Sequence, residues 1–194
     1  GDLDSRYTEI LKDTIDHYLT IVNTDVDLNR IYIGGCSNGG YMSMNMIIKF
    51  PQMFAASYQT CEAYAFMVFE RDNDGNYIHL KDNKSPTAVE KSDKRFFTDE
   101  KIEKIKNVPI WLIASNEDDT VLPSLFSLPT YKKFLKNGLK NVWFSFFKSV
   151  NGVDLPDMKY NGHWSWIRLF NDQVTHVQNR EKIINSADDD ESFG

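Results

Sequence analysis

Apolar residues within residues 7–22 recur at Leu11, Ile15, Tyr18 and Val22, a spacing that lays them along one face of an amphipathic helix. Residues 23–29 form a polar break. The run Arg30-Ile31-Tyr32-Ile33 then favours a short strand that stops at Gly34-Gly35. Residues 37–49 carry a helical pattern, with Met42, Met46 and Lys49 on one stripe and Met44, Ile47 and Ile48 beside it. The pattern ends at Phe50-Pro51, because the residue before a proline is pushed out of the α region. The methionines fill a core; they do not suggest a metal or haem box. Residues 54–60 read as a second, buried strand.

Residues 62–97 are polar and weakly periodic, which predicts an insertion or flap. Their Asp72-Asn73-Asp74-Gly75-Asn76 lacks the later glutamate of a calcium loop and reads as a solvated turn. Thr98 caps a helix with Asp99 and Glu100 in its first turn. That helix alternates lysines with Ile102 and Ile105, a solvated face beside a buried stripe. Residues 108–114 predict a third strand, and Pro109 is tolerable at its beginning. Residues 131–137 predict a helix closed by Gly138, and residues 142–150 a fourth strand. Trp166 opens a last helix, and the acidic residues from about 186 to 194 form a frayed tail. Helices alternating with strands mark an α/β fold with a mostly parallel sheet flanked by helices, in a single domain over residues 1–194.

Composition narrows the function. The chain has 194 residues, 41% hydrophobic and 26% charged, enough to build a packed core. A net charge of −6 gives no electrostatic footprint for nucleic acid. The longest apolar runs, around residues 110–114 and 142–147, are far too short to span a bilayer, so no membrane partner is expected. The two cysteines, Cys36 and Cys61, form neither a disulfide framework nor a metal-ligand set. Both read as semi-buried thiols, and a bridge is feasible only if two strand ends are neighbours.

The sharpest chemical signal is Gly35-Cys36-Ser37-Asn38-Gly39, a G-x-S-x-G between a predicted strand and a predicted helix. A sharp strand-to-helix turn needs glycines where backbone crowds backbone. It holds the serine at a helix N-terminus, where free N–H groups favour developing negative charge. A serine hydroxyl is a weak nucleophile and needs a histidine and an orienting acid. Of the four histidines, His17 lies in the first helix, His79 in the polar insertion and His176 in a polar C-terminal segment. His163, in the loop after the last predicted strand, stands where the base falls in the order Ser…Asp…His. The acid is expected on the loop after the preceding strand. There Glu117, Asp118 and Asp119 are adjacent, and spacing alone does not separate them.

These pieces resemble the α/β-hydrolase family, and within it the serine esterases grouped with polyhydroxybutyrate depolymerases, feruloyl esterases and acetylxylan esterases, including prolyl-oligopeptidase-like esterases. The likeness rests on residues 30–42, on Val108-Pro109-Ile110-Trp111-Leu112 with Asp119-Thr120-Val121-Leu122-Pro123, and on Gly162-His163-Trp164-Ser165-Trp166-Ile167. It implies an esterase that works without cofactor or metal. Ser37 is then the nucleophile, His163 the base and Asp119 the acid, with Asp118 in reserve. The Asn38 N–H is one oxyanion donor at an elbow shaped by Gly35 and Gly39. Cys36 and Trp164 are the candidates to contact substrate; Tyr64, Phe66 and Trp166 read more as core.

The expected substrate is a small-molecule or polysaccharide-linked ester, and the resemblance favours a secreted protein. The sequence departs from the family pattern in that Ser37 follows only one helix and one strand. The expectation is therefore the C-terminal portion of a hydrolase fold, its sheet completed by a missing N-terminal segment or by a second copy in a homo-oligomer. Competing readings are a serine peptidase of the prolyl-oligopeptidase type, a catalytically incomplete fragment, and an α/β domain with a coincidental motif.

Overall fold

The computed structural model describes residues 5–22, 26–64, 68–69, 73, 88–89, 98–150 and 159–169. Helix α1 (Ser5–Val22) turns Thr8, Leu11, Ile15 and Leu19 inward, and Tyr18 is 60% exposed. Of the predicted stripe, Leu11, Ile15 and Val22 are partly buried, and Tyr18 alone gives way to Leu19. Leu11 and Ile15 fix the helix against the core, and the next residue on that face, four further on, is Leu19. Lys49 ties the helix down by an ion pair to Glu9 at 2.6 Å and a hydrogen bond to Thr8 Oγ1.

Strand β1 (Tyr32–Cys36) runs through Gly34 and Gly35 where the sequence predicted a stop. The neighbours explain both glycines. A Cβ on Gly34 would fall 2.0 Å from the Tyr58 ring, and one on Gly35 would fall 2.3 Å from the Gly39 carbonyl carbon. Helix α2 (Asn38–Lys49) follows, then a 3-10 turn (Pro51–Met53) and β2 (Ala56–Thr60). Short strands β3 (Val68–Phe69) and β4 (Ala88–Val89) pair antiparallel. The rest of the predicted flap lies outside the described residues, as does the predicted tail at 186–194.

Helix α3 (Asp99–Ile105) is capped as expected, with Thr98 Oγ1 accepting from the Lys101 N–H. Strand β5 (Ile110–Ser115) leads to α4 (Ser127–Lys136), which begins four residues earlier than predicted. Pro129 falls in the first turn, where its missing N–H leaves no bond unmade, so the proline does not delay the helix. Strand β6 (Val142–Phe147) ends before the predicted 150, and a 3-10 turn (Gly162–Trp164) and α5 (Trp166–Leu169) close the described chain.

The sheet is parallel throughout, in the order β1-β2-β5-β6. Alternation decides what each face carries. Ile110, Leu112 and Ala114 of β5, with Phe144 and Phe146 of β6, are buried in one core with Met44, Met46 and Ile47 of α2 and Tyr131 and Phe134 of α4. Tyr58, Trp111 and Trp143 point to the opposite face, where with Tyr32 they line an apolar groove of about 250 Å³. Because the strands are parallel, the chain leaves all four at one edge. Ser37, Cys61, Asp118 and His163 all lie on the segments that follow those ends. This is the edge where open α/β sheets assemble their sites. No helix among the described residues is long and apolar enough to cross a membrane.

Candidate active site

Ser37 sits between β1 and α2 with φ 56° and ψ −118°, a backbone conformation that a residue with a Cβ rarely adopts. Such a residue costs on the order of 1–3 kcal/mol and persists only where its surroundings over-determine it. Here the Ser37 N–H donates to Thr60 O at 2.9 Å and the Tyr41 N–H donates to Ser37 O at 3.0 Å. The close backbone packing is at Gly35, against Gly39, and at Gly40, where a Cβ would lie 2.8 Å from Glu62 Cβ. Gly39 itself has open space where a Cβ would stand, so the elbow's steric demand falls on Gly35 and Gly40. Asn38 is exposed at the first position of α2. Its N–H belongs to the first-turn donors that a helix leaves without an internal partner.

The structure brings His163 and Asp118 together. His163 Nδ1 lies 2.9 Å from Asp118 Oδ2 and 3.1 Å from Oδ1. The Asp118 carboxyl is buried, and its Oδ1 also accepts from the backbone N–H groups of Thr120 (3.0 Å) and Val121 (2.8 Å). Asp119, the residue expected at this place, is exposed and accepts from Thr120 Oγ1 and Asn161 Nδ2, both at 3.3 Å. The correction has a local cause. The Asp118 N–H closes a turn onto Ser115 O at 3.0 Å, which aims the Asp118 side chain back over the sheet edge and leaves the next residue facing solvent.

The histidine loop is seated by two features. Asn161 caps the 3-10 turn, its Oδ1 accepting from the His163 N–H at 2.8 Å. Gly162 presses on the acid loop so closely that a Cβ would fall 2.0 Å from the Glu117 carbonyl carbon. The His163 ring meets Trp166 edge-on, with centroids 5.9 Å apart. Trp164 stacks between Tyr160 and Trp166 and is 44% exposed, beside the histidine. Cys36 is half-buried and accepts from Thr60 Oγ1 at 3.2 Å, so its thiol is engaged with β2.

Two groups here were not placed at the site from the sequence. Cys61 is buried with φ 44°. Burial pushes the pKa of its thiol up to about 12, so it is a thiol at neutral pH. Cys61 Sγ, a carboxylate oxygen of Asp118 and a ring nitrogen of His163 lie within 4.8 Å of one another. Glu62 is fully buried, and desolvation raises its pKa to about 8. One of its oxygens accepts from the Tyr64 N–H, and Oε1 has no partner among the described residues. An apolar neighbour and an acid in Cys61-Glu62 carry no positional signal in sequence. The clue is their place just after a strand that ends at the site.

The model of the prolyl oligopeptidase family matches residues 10–147, which contain the elbow and the acid loop. The chain belongs to the prolyl oligopeptidase family. Solved structures agree on the α/β-hydrolase fold that this family shares. A thermostable esterase is 22% identical at a TM-score of 0.56, over 94% of this chain and 37% of that one. The acylaminoacyl peptidase of Pyrococcus horikoshii is 19% identical at 0.54, over 90% of this chain and 28% of that one. The S-formylglutathione hydrolase of Agrobacterium tumefaciens is 13% identical at 0.51, over 90% and 56%. The chain thus spans about a third of the length of the first two of these relatives. No curated protein matches the sequence.

Proposed function

We propose that the protein is a serine hydrolase that cleaves carboxylic esters through an acyl-enzyme on Ser37. The observation that carries this reading is the pairing of His163 Nδ1 with buried Asp118, at the sheet edge that holds Ser37 in its strained turn. Asp118 offers acceptors to two backbone N–H groups and to the ring, so Nδ1 carries the imidazole proton and the Nε2 lone pair is left for the serine. In the first step Ser37 Oγ attacks the ester carbonyl and its proton passes to His163 Nε2. The tetrahedral oxyanion is met by the Asn38 N–H. Collapse expels the alcohol, which takes the proton from Nε2. Water repeats the sequence on the acyl-enzyme and frees the acid. Asp118 orients the ring and stabilises the imidazolium.

Membership in a family described by a peptidase supports a second reading, amide cleavage by the same groups. The resemblance to feruloyl, acetylxylan and polyester-cleaving enzymes favours esters, with Trp164 beside the acyl or aromatic group. β1 pairs only with β2 among the described residues. A second oxyanion donor is expected from a segment or second copy that pairs with its other side.

The test is turnover of an aryl ester panel against a blocked-peptide panel, for the parent, Ser37→Ala and His163→Ala. Each variant should lose on the order of 10³-fold or more in kcat. Parental turnover in His163→Ala contradicts the assignment of the base. Faster cleavage of peptides than of esters favours the second reading.

A further inference from the structure

We propose that Cys61, Asp118 and His163 form a site for a zinc-like divalent cation, and that filling it switches the hydrolase off. The three side chains come from segments after different strands, β2, β5 and β6, yet their donor atoms converge within 4.8 Å. Cys61 is 1% and Asp118 2% exposed, so these are not surface groups gathered by chance, while the His163 side chain keeps 13% exposure, on the path an ion would take. Cys61 is aimed by its backbone, with φ 44° and its N–H bonded to Ile113 O at 2.8 Å.

One thiol sulfur, one imidazole nitrogen and one carboxylate oxygen are the donor types zinc prefers, and a tetrahedral ion with bonds of about 2.0–2.3 Å needs them roughly 3.3–3.8 Å apart. The present separations, 2.9 Å between His163 Nδ1 and Asp118 Oδ2 and at most 4.8 Å across the cluster, bracket that range. Water takes the fourth position.

The charge and proton balance is simple. The ion binds Nδ1, the Asp118 carboxylate and the Cys61 sulfur. The thiol proton is released to solvent, because a coordinating thiol is deprotonated outright. The imidazole proton leaves Nδ1 and, through water, comes to Nε2. One proton is lost per ion and nothing is oxidised or reduced. With a proton on Nε2, His163 has no lone pair to accept the Ser37 hydroxyl proton. Binding itself rests on the cluster alone; the loss of activity rests also on the function proposed above.

The experiment separates the two. The purified chain is titrated with Co²⁺, reading the thiolate-to-cobalt charge-transfer band, and with Zn²⁺ against a chromophoric chelator. Parent, Cys61→Ser, Cys61→Ala and Cys36→Ser are compared. The expected result is one ion per chain and a charge-transfer band in the parent and Cys36→Ser. The band should be lost in both Cys61 variants, with zinc affinity down at least about tenfold. Zinc should also abolish ester turnover in the parent, with recovery on adding chelator. Absence of the band in the parent, or unchanged zinc affinity in folded Cys61→Ser or Cys61→Ala, overturns the site. A band with ester turnover unaffected by zinc overturns the switch and leaves the role of His163 as base to the His163→Ala measurement above.

Discussion

Gly162→Ala tests the contact that holds the histidine loop on the acid loop. The added methyl would stand 2.0 Å from the Glu117 carbonyl carbon, 2.2 Å from its oxygen and 2.3 Å from the Asp118 nitrogen, where ordinary contact begins at 3.4 Å. All three are backbone atoms, so no side chain can swing aside, and the loops must part by more than about 1 Å. His163 follows Gly162 and Asp118 follows Glu117. The separation therefore falls on the 2.9 Å bond between Nδ1 and Oδ2 and carries it beyond hydrogen-bonding distance. A misplacement of about 1 Å at a catalytic group costs on the order of 10²-fold in rate, and complete loss of the acid's orienting effect about 10⁴-fold. The expected fall in kcat/KM on an aryl ester lies between these limits. Overpacking should also cost about 1–3 kcal/mol of stability. Assays well below the melting temperature, with the fold checked by circular dichroism, separate the two effects. A folded Gly162→Ala protein within about threefold of parental kcat/KM would show that the close approach does not set the histidine–acid geometry.

Three further outcomes follow from the same geometry. Asp118→Asn should lower kcat on the order of 10³–10⁴-fold, whereas Asp119→Asn, at an exposed carboxyl, should change it by less than about threefold; the reverse order would restore Asp119 as the acid. Glu62→Gln should flatten the fall of stability with rising pH. The carboxyl moves from 4.5 to about 8 on burial, so the stability linked to it is whole below pH 4.5 and is lost progressively up to pH 8, by up to about 5 kcal/mol. Urea unfolding of parent and variant at pH 5 and pH 8 reads the difference, and equal pH dependence in the two would contradict it. Thr98→Ala should destabilise by about 0.5–2 kcal/mol through loss of the α3 cap, measured as a shift in urea midpoint at constant slope.

Much of this site was legible because its chemistry imposes its own local pattern. A strand, a G-x-S-x-G and a helix in that order predict the strained serine, and the position after the last strand singles out the histidine that meets buried Asp118. The strand and helix periods also placed the parallel sheet. What sequence could not decide was set by contacts between distant segments. Asp118 and Asp119 are the same residue type one position apart, and only the turn onto Ser115 O decides which of them faces the histidine. Gly34 and Gly35 look like a strand end until Tyr58 and Gly39 are seen against them. Tyr18 and Leu19 fit a helical stripe equally well, and the packing of Leu11 and Ile15 selects Leu19. Gly162 belongs to the histidine motif, but its contact with the acid loop, like the convergence of Cys61 on the site, comes from how closely separate loops meet.

The proposed hydrolase stands on Ser37 as an activated nucleophile served by His163. Intact mass after treatment with a fluorophosphonate, on the parent and Ser37→Ala side by side, tests it most directly. One adduct per chain is expected in the parent and none in the variant. A folded parent that takes up no adduct, or an adduct that persists in Ser37→Ala, would contradict it.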